Sequence, residues 1–120
     1  MANSIVSFEI ATQDKAVIED FYRTVFDWQL IPGNDQFTRV SPGSGIGGGI
    51  AAAAGGGPGY ATFYVEVDDI NETLTRVEGR CGHRLIEPQR MPDGALVALF
   101  ADPEGHVIGL VQAGTMRNAA

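Results

Sequence analysis

The chain predicts an α+β domain of two βαβββ modules, packed as a curved, half-barrel-like mixed sheet with the helices outside. Three observations predict it. Two alternating apolar stretches, IVSFEI at 5–10 and YATFYVEV at 60–67, are each followed by an aspartate and then a stripe of helical period. The two aspartates, Asp14 and Asp69, stand 55 residues apart, and the pairs Ser7/Thr62 and Glu9/Tyr64 keep the same offset. Ten of the sixteen glycines lie between Gly33 and Gly59, where the two repeats would join. The parsing is module 1 at about 3–52, a glycine-rich linker at about 52–59 and module 2 at about 60–113.

Each element follows from its residues. In IVSFEI, Val6, Phe8 and Ile10 point to one face and Ile5, Ser7 and Glu9 to the other. Asp14 then precedes KAVIEDFYRTVF, where Val17, Ile18, Phe21, Tyr22 and Val25 recur at helical spacing, with Phe21 and Tyr22 assigned to packing. Its carboxylate suits an N-cap because it accepts from free backbone N–H groups of the first turn. A short strand in DWQLIPG, a second in QFTRVSP and a third over Ile46–Ala51 complete the first module. In YATFYVEV, Phe63, Val65 and Val67 share one face, and Tyr60, Thr62, Tyr64 and Glu66 the other. Asp69 caps INETLTRVEGR, and strands follow in HRLIEP, GALVALFAD and HVIGLVQ. All six prolines fall in turns or at strand ends. Helices would cover the apolar faces, leaving Ser7, Glu9, Thr62, Tyr64 and Glu66 around a shared groove.

Composition excludes several classes. Eight basic residues against fifteen acidic give a net charge of −7, a field that repels a phosphate backbone, so no nucleic-acid partner is expected. The single cysteine, Cys81, allows no internal disulfide and points to a reducing compartment. MANSIVSFEIATQD has neither the basic start nor the apolar core of a signal peptide, and no stretch is long and apolar enough to span a membrane. The expected location is cytoplasmic.

Three segments, FEIATQD to FYRTVFDW at 8–28, YVEVDDI at 64–70 and FADPEGHVIGLV at 100–111, resemble the vicinal oxygen chelate superfamily. That superfamily includes glyoxalase I, extradiol dioxygenases and bleomycin-resistance proteins, and the glycine-rich middle is similar to its small glyoxalase-related branch. The resemblance implies four inward positions that hold a divalent ion in metal-using members, on the first and last strand of each module. Carried onto this chain they are Ser7, Thr62, the glycine run at Gly47–Gly49, taken as Gly48, and Gly109. An ion needs several donors converging at about 2.0–2.6 Å, and two hydroxyls with two glycines do not supply them. No cofactor and no divalent metal are therefore expected. The resemblance also implies a homodimer.

The remaining motifs are weaker. GSGIGG at 43–48 spells G-x-G-x-x-G, but GIAAAAGGG follows it instead of a helix, so no phosphate would meet a helix N-terminus. His83 and His106 sit in CGHR and PEGH without a third ligand at useful spacing, and Cys81 with His83 lacks an orienting group. Glu9 is the candidate base: in a partly apolar groove burial would raise its pKa toward the range useful for proton transfer. The plainer alternative is a solvated residue or an ion pair with Arg39 or Arg90. Trp28, Phe37, Tyr60 and Tyr64 would form an aromatic wall for a flat ligand.

Two functions follow. The first is a binding protein that holds a small organic molecule through Ser7, Thr62, Tyr64, Glu9, Glu66 and the aromatic faces of Trp28 and Tyr60. The second is a metal-independent isomerase, epimerase or lyase acting beside a carbonyl, with Glu9 taking the proton and Tyr64, Thr62 or Ser7 steadying the oxyanion. A metal-dependent glyoxalase-like lyase is the third.

Overall fold

A computed structural model describes residues 2–53 and 57–115. The element order is β1 (Ile5–Thr12), α1 (Lys15–Phe26), β2 (Gln29–Asn34), β3 (Phe37–Ser41) and β4 (Gly48–Ala52). It repeats as β5 (Tyr60–Val67), α2 (Ile70–Gly79), β6 (His83–Arg90), β7 (Leu96–Ala101) and β8 (Val107–Gln112). The α+β class and the doubled βαβββ order read from the sequence both hold. Residues 54–56 of the expected linker lie outside the described residues.

The described chain divides into two compact units, Ser7–Thr62 and a second made of the residues before Ser7 with those from Phe63 to Thr115. In the first, the strand order is β2-β3-β4-β1, with β1 and β4 parallel and the other pairs antiparallel. In the second, the order is β5-β8-β7-β6, with β5 and β8 parallel. Both helices start as the sequence requires. The Asp14 carboxylate accepts from the Val17 N–H at 3.1 Å, and the Asp69 carboxylate from the Glu72 N–H at 3.0 Å.

The second unit has an apolar core on one sheet face. Val67, Ile70, Leu74, Ala98 and Leu110 are buried there, with Val65, Leu96 and Phe100 packed around them. The first unit is built differently, and here the structure corrects the sequence. Phe21, assigned to packing, is more than half exposed, as are Val17 and Val25 of the same stripe, and α1 has no fully buried residue. The helix instead meets its sheet through a polar network. The Thr38 hydroxyl, 1% exposed, donates to Glu19 at 2.6 Å and accepts from Lys15 at 2.7 Å, while Lys15 and Glu19 pair at 2.6 Å. Tyr22 completes the contact by stacking on Trp28, with ring centroids 5.3 Å apart. A buried hydroxyl needs partners, so Lys15 and Glu19 turn inward alongside Tyr22, and Val17, Phe21 and Val25 are left outside.

Candidate functional site

Strand register decides which residues share a face. In the Ser7–Thr62 unit, Phe8 pairs with Gly48, Glu9 with Gly49 and Ile10 with Ile50. Thr38 pairs with Ile50 and Arg39 with Gly49. Thr38 faces α1, so Phe8, Ile10, Gly48 and Ile50 lie on the helix side, and Ser7, Glu9, Gly49, Ala51, Phe37 and Arg39 lie on the helix-free side. The expected placement of Ser7 and Glu9 holds.

Two expected site residues do not. Trp28 sits in a cluster with Phe8, Tyr22 and Phe26, at centroid distances of 5.3–5.4 Å, on the helix side of the sheet. It is a packing residue. Gly48 is likewise on the helix side, where a Cβ would strike the Phe8 ring. The position equivalent to Gly109 is Gly49. The repeat maps Glu9 onto Tyr64, and their register partners are Gly49 and Gly109 respectively. A one-residue change of register reverses the face, which is how the glycine run misled.

Both glycines make room for an aromatic ring. A Cβ on Gly109 would lie 2.6 Å from Cδ2 and Cε2 of Tyr64 and 2.9 Å from Cγ, so that ring lies face-down on Gly109. A Cβ on Gly49 would collide with Cε1 and Cζ of Phe37, with the next atom, the Thr38 carbonyl oxygen, at 3.3 Å. Only one edge of the Phe37 ring therefore reaches Gly49. No side chain can project from the sheet at either place without displacing a ring. The residues at Ser7, Gly49, Thr62 and Gly109 do not fit a metal centre of the superfamily type, and among the described residues no other cluster of histidine, cysteine or acidic side chains is placed to hold an ion.

Glu9 keeps company with Tyr60, whose hydroxyl lies 3.4 Å from Oε1 of Glu9 and donates toward it. Burial first, and then the Glu9 charge and this hydrogen bond, push the Tyr60 hydroxyl up to about 12, so it stays protonated as a donor. Tyr60, expected from the sequence as part of an aromatic wall, thus also serves as a donor to Glu9. Thr62 is buried, at 8% exposure. In the other unit Glu66 is half-buried on the Tyr64 face, pairs with Val111, and its N–H donates to the Ser4 carbonyl at 2.9 Å.

The histidines remain apart from these groups. His106 Nδ1 lies 2.9 Å from Oδ2 of Asp102 in the exposed turn before β8, and backbone and side-chain hydrogen bonds from His106 hold the Asp102 carboxyl below its usual value. His83 opens β6 rather than sitting in a turn. A depression of about 490 Å³ beside α2, lined by Asn3, Thr73, Arg76, Val77, Gly79 and Arg80, includes none of the predicted residues.

Comparison with known proteins agrees with this geometry. The family profile of the Glyoxalase/Bleomycin resistance protein/Dioxygenase superfamily matches residues 4–110. The chain belongs to that superfamily. Among solved structures of similar fold is methylmalonyl-CoA epimerase from Mycobacterium tuberculosis, at TM-score 0.65 and 18% identity, with 90% of this chain and 86% of that one covered. A glyoxalase/bleomycin resistance protein/dioxygenase superfamily member from Vibrio splendidus gives 0.61 and 18%, covering 92% and 98%. The Mn(II)-bound glyoxalase from Novosphingobium aromaticivorans gives 0.64 and 13%, covering 99% of this chain and 44% of that one. Searched by sequence, curated proteins give no match. Within the superfamily, no helix among the described residues of this member is long and apolar enough to cross a membrane.

Proposed function

We propose that this superfamily member binds a small organic molecule on the helix-free sheet face, without a divalent ion at the positions metal-using members employ. One observation carries the reading: Gly49 and Gly109 surrender their side-chain space to Phe37 and Tyr64, so aromatic surface stands where donors would. Aromatic rings with a few placed polar groups are the usual lining of a small-molecule site. Ser7, Glu9 and Tyr60 supply the polar groups in the first unit, and Tyr64 and Glu66 those in the second.

Calorimetry against planar and cationic natural products tests it, alongside elemental analysis of protein purified without chelators. The expected result is a ligand bound more tightly than millimolar, weakened at least about tenfold by Phe37→Ala, with no stoichiometric metal. One metal ion per chain, or no binder across a broad panel, overturns the reading.

A second reading is favoured by the Tyr60–Glu9 contact and by the presence of methylmalonyl-CoA epimerase among similar folds. Here Glu9 takes a proton from carbon beside a carbonyl, and Tyr60 holds the carboxylate in place. Exchange of that proton with deuterated solvent, followed by NMR on methylmalonyl-CoA and simpler thioesters, should slow by about 10²–10⁴ in Glu9→Gln. Exchange unchanged in the variant removes Glu9 from the chemistry.

A further inference from the structure

Val17, Phe21 and Val25, left outside when Lys15 and Glu19 turn to the sheet, are each 52–61% exposed, as is Phe26 at the end of α1. The first three stand four residues apart, one above the other on a single ridge of the helix. Ring contacts join the fourth to them: Phe21 meets Tyr22 edge-on at 5.0 Å, and Tyr22 stacks on Phe26 at 6.0 Å. Single apolar residues on a surface are ordinary, whereas a joined row marks a contact. The row presents roughly 350 Å² of apolar surface, taking about 200 Å² for a whole phenylalanine and somewhat less for a valine. A standard dimer interface buries about 800 Å² a side, a little over half of it apolar, so this row supplies most of the apolar part.

We propose that α1 packs on α1 of a second copy of this chain, antiparallel, about a two-fold axis passing beside Phe21. Val17-x-x-x-Phe21-x-x-x-Val25 reads the same in either direction. Turned on itself, it sets Phe21 against Phe21 and each Val17 against the second copy's Val25, the self-complementary patch that a two-fold contact requires. Ridges of residues four apart are also the commonest ones through which helices interlock. The charges beside the ridge agree. Asp20 and Arg23 lie 3.7 Å apart with 75% and 53% of their side chains exposed, so both can take a second partner. Reversal about Phe21 brings each Asp20 toward the second copy's Arg23, and opposite signs meet. A lipid surface suits the row less well, because membrane-binding helices border their apolar face with lysine and arginine. Here Asp14, Asp20 and Asp27 stand at the start, middle and end of the helix, in a chain of net charge −7.

The test uses the full chain. Sedimentation equilibrium should give a dimer, with self-association weakened at least about 100-fold in Phe21→Glu, which sets two like charges at the axis. Val17→Ser combined with Val25→Ser should weaken it in the same direction, and serves if the glutamate variant does not fold. Oxidation of chains made in a Cys81→Ser background reads the geometry, since a disulfide needs Cα atoms within about 7 Å. Phe21→Cys should cross-link to itself, Val17→Cys alone should not, and Val17→Cys mixed with Val25→Cys should give the mixed dimer. A wild-type chain that stays single at hundreds of micromolar would overturn the proposal, as would a dimer untouched by either variant. Val17→Cys cross-linking to itself as fast as Phe21→Cys would overturn the antiparallel arrangement. A single chain that floats with phosphatidylcholine vesicles, and no longer does so as Phe21→Glu, would give the face to a lipid surface instead.

Discussion

A single hydrogen atom at residue 109 lets Tyr64 lie flat on the sheet. Adding a methyl group there puts it 2.6 Å from two ring carbons, with ordinary contact lying beyond about 3.4 Å, so either ring or strand must move. Gly109→Ala should lose about 1–3 kcal/mol in urea unfolding, the range for overpacking a filled site. The same substitution made in a Tyr64→Ala background should lose far less, because the obstructing ring is gone. The cycle isolates the pair, and additive losses would show that the crowding is elsewhere. From the sequence, Gly109 stood out through the resemblance, as a position where metal-using members hold an ion. That a tyrosine ring lies on it could not be read, since this depends on which residue faces it across β5 and β8.

At the scale of elements, α1 shows where pattern reading fails. Its apolar spacing is real, yet Val17, Phe21 and Val25 face outward while Lys15, Glu19 and Tyr22 face the sheet. Periodicity counts apolar residues; it cannot foresee that the buried Thr38 will demand polar partners from the helix. Hydrogen bonds from Lys15 and Thr38 hold the Glu19 carboxyl below its usual 4.5. A lowered folded-state pKa means the contribution is whole above the unfolded value and is lost as pH falls through the folded one. Melting temperature should therefore drop more steeply from pH 6 to pH 3 in the wild type than in Glu19→Gln. Thr38→Val, which strips the network of its shared hydroxyl, should lose about 1–3 kcal/mol at pH 7 in the same assay. A neutral result for both would reduce the network to a surface ornament. The caps, by contrast, were fully legible, because an aspartate ahead of an amphipathic run acts through neighbours three residues away.

For the molecule as a whole, the internal repeat made the architecture readable: a 55-residue offset fixed both modules, both caps and the element order. Sorting of residues onto strand faces was readable too, wherever alternation was clean, as in Ser7 to Ile10 and Thr62 to Val67. It failed in the glycine run, where three successive glycines offer no alternation, and only pairing with Phe8 and Glu9 separates Gly48 from Gly49. Trp28 was misplaced for a related reason: the short segment after α1 gives no periodic signal, and the stacking on Tyr22 depends on how the chain leaves the helix. The homodimer expected from the resemblance belongs to this scale as a proposal. Sedimentation equilibrium should return twice the 12.7 kDa chain mass, and a value at the single mass would refute it.

The ring lying on Gly109 also limits which single substitutions this fold can accept. A single base change can turn glycine into an acidic residue, but here the newcomer would arrive beneath a tyrosine already seated. Tyr64 would have to shrink first, and that intermediate has neither the aromatic surface nor the ligand. An acidic residue could therefore be accommodated at this position only through two linked substitutions, the ring first and the glycine second.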